Sequence, residues 1–235
     1  DGNRAAIGAD SDDDLGGQSG SAYVFELING SWLEQTKLTA SDGDAIANFG
    51  LSLSLDGNRI LVGAPGDDQI SLISGAGYLF ELDQGRWSER RKLLASNGGL
   101  GDGLGISASL DGDRLVLGAP GNGGTGAAFV YEFDGINWAQ TARLVGSDLS
   151  GGALFGESIA LQDDEIIAGA PDGNGLVNRS GAAYRFAFNG ASWSQVQKLS
   201  ASDGPLSDRF GSAVALDRGR FLVGADSEDN AGAEA

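Results

Sequence analysis

The sequence predicts an all-β chain folded as a β-propeller of four-stranded antiparallel blades, with about four and a half repeats of 51–55 residues. Three observations carry this reading. Tryptophans stand at Trp32, Trp87, Trp138 and Trp193, spaced 55, 51 and 55 apart. A second marker recurs at Phe49-Gly50, Leu104-Gly105, Phe155-Gly156 and Phe210-Gly211, and a Gly-Ala pair begins at Gly8, Gly63, Gly118, Gly169 and Gly224. Markers that share one register at a period of this length are the sequence sign of a repeat architecture.

Each unit reads as four strands. Strand a follows the Phe-Gly pair and alternates or uses small residues, as in Leu51-Ser52-Leu53-Ser54-Leu55, which suits the crowded position near an axis. Strand b is a short unbroken apolar run such as Ile60-Leu61-Val62, expected to be buried on both faces. Strand c alternates around aromatics, as in Phe129-Val130-Tyr131-Glu132-Phe133. Strand d opens on the tryptophan and turns polar, as in Trp87-Ser88-Glu89-Arg90-Arg91, so it is expected outermost, where charge deters edge pairing. On that strand Glu89 is expected to face solvent, and the apolar residues between blades to form one continuous core.

Glycine-centred turns join the strands: Asp56-Gly57-Asn58 and Asp111-Gly112-Asp113 between a and b, Asn29-Gly30 and Gln84-Gly85 between c and d. The 40 glycines among 235 residues fit many such turns, and the lack of a three-residue glycine period excludes collagen.

The blades fall at approximately 1–48, 49–103, 104–154 and 155–209, with a partial blade over 210–235, in a single propeller domain or a segment of a larger one. Strands a, c and d occur four times and b five times. Two readings of this count stand side by side: an excerpt from an array of five to seven blades, or a closed four-bladed ring in which the two ends share a blade. In either, a bare terminal b strand invites pairing, with the other end or with a neighbouring chain. The absence of an initiating methionine points to a start inside a longer precursor.

Composition narrows the function. A net charge of −18 repels phosphate backbones and anionic membrane surfaces, so neither nucleic acid nor membrane insertion is expected. No cysteine is present for disulfides or thiolate metal sites, and no histidine for general-base or transition-metal chemistry. No nucleophile triad or phosphate loop is found, and some pair of carboxylates at glycosidase spacing is expected by chance among 33 acids. The chain is therefore read as non-enzymatic, with a carbohydrate-active module as an alternative.

Strand order puts the a–b and c–d hairpins at one end of each blade and the b–c and d–a loops at the other. That second end is acidic. Its b–c loops hold Asp10, Asp12, Asp13 and Asp14, then Asp67 and Asp68, then Asp226, Glu228 and Asp229. Its d–a loops hold Asp42, Asp44, Asp102, Asp148, Asp203 and Asp208. Asp10, Asp12 and Asp14 alternate as oxygen ligands of a hard cation do, so calcium is the candidate cofactor, first at these three and then at Asp67, Asp68, Asp226, Glu228 and Asp229. The EF-hand spacing is not met, and solvated acidic loops are the alternative reading. The tryptophans, fixed at the start of strand d, suit packing better than sugar stacking. Asn29-Gly30-Ser31 and Asn178-Arg179-Ser180 are glycosylation triplets in predicted turns.

Phe-Gly, a short strand, then Gly-Ala-Pro, as in Phe49-Gly50 with Gly63-Ala64-Pro65 and Phe155-Gly156 with Gly169-Ala170-Pro171, resembles the FG-GAP repeat. The chain is similar to the seven-bladed propeller of integrin α chains. It is more similar still to bacterial FG-GAP repeats, through the loop Leu38-Thr39-Ala40-Ser41-Asp42-Gly43 and the strands Ser19-Gly20-Ser21-Ala22-Tyr23 and Ser180-Gly181-Ala182-Ala183-Tyr184. The resemblance covers essentially the whole chain and departs from the pattern at Leu104. It implies a secreted or cell-surface protein used for adhesion or recognition, with a protein or glycan ligand on the b–c/d–a face. A structural repeat subunit of an extracellular fibre, self-associating through its terminal strands, is a second reading. The integrin calcium loop between strands a and b is missing here, so that metal site does not carry over.

Overall fold

In the computed structural model, which describes residues 1–175, 179–202 and 208–227, every expected strand forms. The first sheet is β1 (Arg4–Ala9), β2 (Ser21–Ile28) and β3 (Ser31–Leu38). The second is β4 (Ser52–Asp56), β5 (Arg59–Ala64), β6 (Ala76–Asp83) and β7 (Arg86–Leu93). The third is β8 (Ser107–Asp111), β9 (Arg114–Ala119), β10 (Ala127–Phe133) and β11 (Trp138–Leu144). The fourth is β12 (Ile159–Gln162), β13 (Glu165–Ala170), β14 (Ala182–Phe188) and β15 (Trp193–Leu199), and a two-stranded sheet of β16 (Phe210–Asp217) and β17 (Arg220–Ala225) follows. Among the described residues the helical content is one 3₁₀ turn, Asn122–Gly124.

Within each full sheet the hydrogen-bonded order is a–b–c–d and every pairing is antiparallel. The c–d hairpins at Asn29-Gly30 and Gln84-Gly85 are two-residue turns with both residues at positive φ, the geometry whose twist matches the flanking strands. All four c–d pairs carry a register shift at the same place, between Val24 and Phe25, Leu79 and Phe80, Val130 and Tyr131, and Arg185 and Phe186. Such a bulge bends the outer strands and sharpens the blade's twist.

Radial order follows from what touches what. The a strands β4, β8, β12 and β16 pack successively against one another, which puts them nearest the axis. The b strands are buried on both faces, and the d strands are the most exposed of the complete blades. The apolar interior is not one continuous core. It divides into three clusters, one in each seam from the first sheet to the fourth, because the second and third sheets are each the wall between two of them. Phe49 stands edge-on to Tyr78 and Phe80 in one seam, and Phe155 edge-on to Tyr184 and Phe186 in another. Leu104 fills the Phe position in the middle seam and is fully buried there.

The seams also explain the small residues. A Cβ on Gly63, Gly118 or Gly169 would lie 1.9–2.0 Å from the carbonyl oxygen of Gly105, Gly156 or Gly211 in the next blade, so only glycine fits. At the start of strand a, Ser52 and Ser107, and Ser158 just before β12, donate their hydroxyls to those same carbonyls at 2.7–2.8 Å. The markers that repeat in the sequence are thus the two halves of one inter-blade contact.

On the outer strand, Glu89 is not a free surface residue. Its carboxylate accepts hydrogen bonds from the amide and hydroxyl of Ser41 in the preceding d–a loop, both at 2.9 Å. Gln140 and Gln195 bridge to Ser96 and Ser147 in the same place, each accepting from the serine amide through Oε1 and donating to the serine hydroxyl through Nε2. The signal was present as a Glu or Gln two residues after each of Trp87, Trp138 and Trp193.

The ring does not close among the described residues. β16 pairs only with β17, and the sheet of β1, β2 and β3 has no a strand. Trp32 is 49% exposed, against 5% for its counterpart Trp138.

Candidate functional site

The b–c and d–a loops interlock at one end of the blades. Each b–c loop and the d–a loop that follows it are tied by backbone hydrogen bonds, including Ile46 N to Gly17 O, Gly101 N to Leu72 O and Gly103 N to Ile73 O, at 2.8–3.1 Å. A parallel bridge closes each junction, as between Gly20 and Phe49 and between Gly75 and Leu104. The opposite end, with its short hairpins, is stitched separately, so the loop end is a continuous face carried on a rigid scaffold.

Beneath that face lies a repeated polar box. In the second blade, Lys92 on β7 reaches Asp42 at 2.8 Å and Asp67 at 2.6 Å, and the Tyr78 hydroxyl on β6 lies 2.8 and 2.9 Å from the same two carboxylates. The first blade repeats it with Lys37 on Asp12 at 2.9 Å and on Asp14, and with Tyr23 at 3.3 Å from Asp12. The fourth places Lys198 on Asp148 and on the Asn174 carbonyl, with the Tyr184 hydroxyl 2.8 Å from Asp148. In the third blade the box has Phe129 in place of the tyrosine, Arg143 donating to Asn122 at 2.9 Å, and Asn122 donating to the buried Asp102 at 2.6 Å.

These contacts set the ionisation. The Lys37 hydrogen bond, then the Asp14 amide, hold Asp12 below the usual aspartate range. Burial pushes Asp42 upward, but Lys92 and Tyr78 outweigh it and the carboxyl ends lower than normal; Asp148 behaves likewise with Lys198 and Tyr184. Tyr78 and Tyr184 are raised, by burial first and by the adjacent carboxylates second, so both stay protonated.

The candidate ligands for calcium therefore have definite positions. Asp12 and Asp14 converge on one lysine ammonium, and Asp12 also accepts the Asp14 amide at 3.1 Å. Asp10 is half-buried and its backbone carbonyl faces the Asn48 amide at 3.4 Å. Asp67 is buried in the Lys92 box, Asp68 is exposed, and Asp226 pairs with Arg209 at 3.2 Å. Glu228, Asp229, Asp203 and Asn178 lie outside the described residues. Among the described residues no group of three or more His, Cys, Asp or Glu side chains gathers closely enough to hold a metal ion. The carboxylates that converge do so on a cation supplied by the chain itself, which is a poor match to an open calcium cradle. The basic residue was legible as Lys37, Lys92, Arg143 and Lys198, each five positions after a tryptophan.

Above the boxes stands an apolar crest that loop composition did not reveal. Leu15, Ile46, Ile70, Leu72, Ile73 and Leu100 are all exposed, and all belong to the loops that run from the first blade to the third. Leu15 and Ile70 lie over Gly43 and Gly98, where a Cβ would come within 2.8 and 2.9 Å of them. Ile46 and Ile73 have positive φ, at 69° and 56°. The positions matching Ile46 in the next two blades are Gly101 and Gly152, also at positive φ. A β-branched residue in that region is strained, and here the strain holds an aliphatic side chain out into water.

The family model for the FG-GAP repeat matches residues 32–80, 87–131, 138–186 and 193–235. The chain belongs to the FG-GAP repeat family. Each matched segment starts at a tryptophan on strand d; the first three run through strands a and b and into strand c of the next sheet, and the fourth takes in strands a and b of the last sheet, so the family's unit spans a seam rather than a blade. FG-GAP repeats are often found in adhesion and binding propellers, and are typical of extracellular or surface proteins. No curated protein matches the chain. Among the described residues, no helix is long and apolar enough to cross a membrane.

Proposed function

We infer that this FG-GAP chain is a non-enzymatic recognition propeller of the cell exterior, and that the crest on its loop face binds a protein segment bearing apolar side chains flanked by basic ones. The observation that carries this reading is Ile46. An exposed isoleucine stands in a left-handed backbone position that the next two blades give to glycine, a cost the fold itself does not require. Water-exposed aliphatics on a rigid, interlocked loop platform are the ordinary make-up of a protein contact surface. The carboxylates exposed around them, Asp13, Asp14, Asp42, Asp44 and Asp68, favour basic residues at the rim. A protein ligand is favoured over a glycan because, among the described residues, no aromatic side chain stands among the exposed large apolar residues of this face; the exposed tryptophan, Trp32, belongs to the hairpin end.

Selection of a displayed random-peptide library on the immobilised chain, with a glycan array in parallel, tests the reading. Enriched peptides should combine aliphatic residues with Lys or Arg, and should bind at least tenfold more weakly to a Leu72→Asp/Leu100→Asp variant. Ile136→Asp, on an exposed c–d hairpin at the opposite end, should leave binding unchanged. Equal binding to wild type and crest variant, or signal on the glycan array alone, would overturn it.

A further inference from the structure

An arginine on strand b closes the hairpin end of the second and third seams. Arg59 pairs with Glu81 of its own blade at 3.0 Å and with Asp113 of the next at 2.8 Å. Its guanidinium lies 5.2 and 5.3 Å from the rings of Phe133 and Trp138, which stand 5.5 Å from each other. Arg114 repeats this in the third seam with Glu132, Asp164, Phe188 and Trp193.

In the first seam Arg4 stands in the place of Arg59, and every partner is altered. Asn58, uncharged, takes the place of Asp113: its carbonyl accepts the Leu82 amide as that of Asp113 accepts the Phe133 amide. Glu26, in the place of Glu81, accepts instead from the Asn3 side-chain amide at 3.1 Å. Leu82 replaces the phenylalanine, directly opposite Trp87 as Phe133 is opposite Trp138. Arg4 donates to the Gly57 carbonyl at 3.2 Å, and among the described residues it has no ion-pair or ring partner.

These changes leave a groove of about 480 Å³ between β2–β3 and the β6–β7 hairpin, against 280 and 180 Å³ beside the Phe133 and Phe188 hairpins. Both walls are interior faces of the fold, since Val24 on one and Trp87 on the other pack into the core cluster of this seam. The volume is in the ordinary range of a small-molecule site. Arg86 brings a second guanidinium to it, exposed and without an ion-pair partner among the described residues. In a chain of net charge −18, two guanidinium groups without carboxylate partners in one groove select for a negative ligand.

We propose that this groove binds a carboxylated sugar residue, of the uronic acid kind, with its carboxylate on Arg4 and Arg86 and the apolar face of its ring on Trp87. A carboxylate matches the planar fork of arginine. A hydroxylated ring is favoured over an aliphatic or peptide acid because the indole stands beside the Gln35 amide, the Thr36 hydroxyl and the Glu26 carboxylate, which together offer donors and acceptors to ring hydroxyls. Trp138 and Trp193, each covered by a guanidinium, keep the packing role that their place at the start of strand d suggests. The groove shares no residue with the crest, so this inference is independent of the recognition reading.

Titration of the 235-residue chain with glucuronate and galacturonate, followed by calorimetry and tryptophan emission, tests it. Both uronates should saturate the chain at millimolar concentration or below, and should bind at least tenfold more tightly than glucose, galactose, glutarate or a Glu-rich peptide. Arg4→Gln should weaken binding about tenfold, the loss of one hydrogen-bonded charge pair. Leu82→Phe with Asn58→Asp restores the filling found in the other two seams. That variant should lose uronate binding while melting no lower than wild type, which separates loss of the site from loss of the fold. Leu72→Asp/Leu100→Asp should bind uronate as wild type does. The proposal is overturned by a wild type that no uronate saturates, by a filled variant that binds as wild type does, or by glutarate, peptide or neutral hexose binding as tightly as the uronates.

Discussion

Gly63 and Gly105 meet backbone to backbone across the seam between the second and third blades: a Cβ on Gly63 would stand 2.0 Å from the Gly105 carbonyl oxygen. Neither partner can move without parting the sheets. Gly63→Ala should therefore destabilise the chain by about 3 kcal/mol or more, as severe overpacking does. Gly224→Ala is the matched control, because its Cβ would meet nothing closer than Ala213 at 3.5 Å; a change within about 1 kcal/mol is expected there. Chemical denaturation of both variants compares them directly.

Lys92→Met should cost about 3 kcal/mol at neutral pH. It leaves the buried Asp67 and the nearby Asp42 without their shared cation, and breaking a buried pair from one side is expensive. Adding Asp67→Asn should recover part of the loss in a double-mutant cycle.

The same boxes set the pH dependence. Asp12, Asp42 and Asp148 titrate lower in the folded chain than the ordinary value of 3.8, so the unfolded chain binds more protons in that region and stability rises with pH through it. Glu157, raised by burial against the pull of Arg209, gives a slope of opposite sign, one group against three. Lys92 is raised because Asp42 and Asp67 outweigh burial, so its contribution is present below 10.5 and lost as pH climbs above it. Thermal melts should show a plateau between about pH 5 and pH 10 with a fall on both sides. A stability maximum near pH 3 would contradict this assignment of charges.

Phe155→Ala should cost about 3–5 kcal/mol, since it removes a fully buried ring that two aromatics pack against edge-on. Glu89→Ala should cost about 1 kcal/mol, the value of a lost inter-blade hydrogen bond, rather than nothing. Equal effects would mean that the outer strand and the seam had been interchanged.

Ile46→Gly separates folding from recognition. Releasing a β-branched residue from φ = 69° should raise stability by about 1 kcal/mol while removing part of the crest. Stability gained and peptide binding lost is the expected pair of results; unchanged binding would detach Ile46 from the site.

The strands were legible because each obeys a local rule. Ile60-Leu61-Val62 is an unbroken apolar run and forms a strand buried on both faces, and Asn29-Gly30 makes the tight turn its dipeptide specifies. The candidate site was only half legible. The alternation of Asp10, Asp12 and Asp14 was legible, but the cation that Asp12 and Asp14 share, Lys37, was not: it lies 25 residues beyond Asp12 on strand d and meets it only once the blade folds. The crest was hidden for a different reason. Ile70, Leu72 and Ile73 in a Ser-rich loop carry no periodicity, and nothing local says whether an aliphatic side chain in a turn packs inward or faces water. Glu89 read as solvent-facing because its partner, Ser41, belongs to another blade.

Hydrogen–deuterium exchange of the wild-type chain, with and without a saturating selected peptide, tests the recognition reading most directly. Protection confined to residues 44–48, 70–73 and 98–103, with the a–b and c–d hairpins unchanged, is the expected result. Protection on the hairpin end around Gly112 and Ile136, with the crest loops exchanging as before, would contradict it.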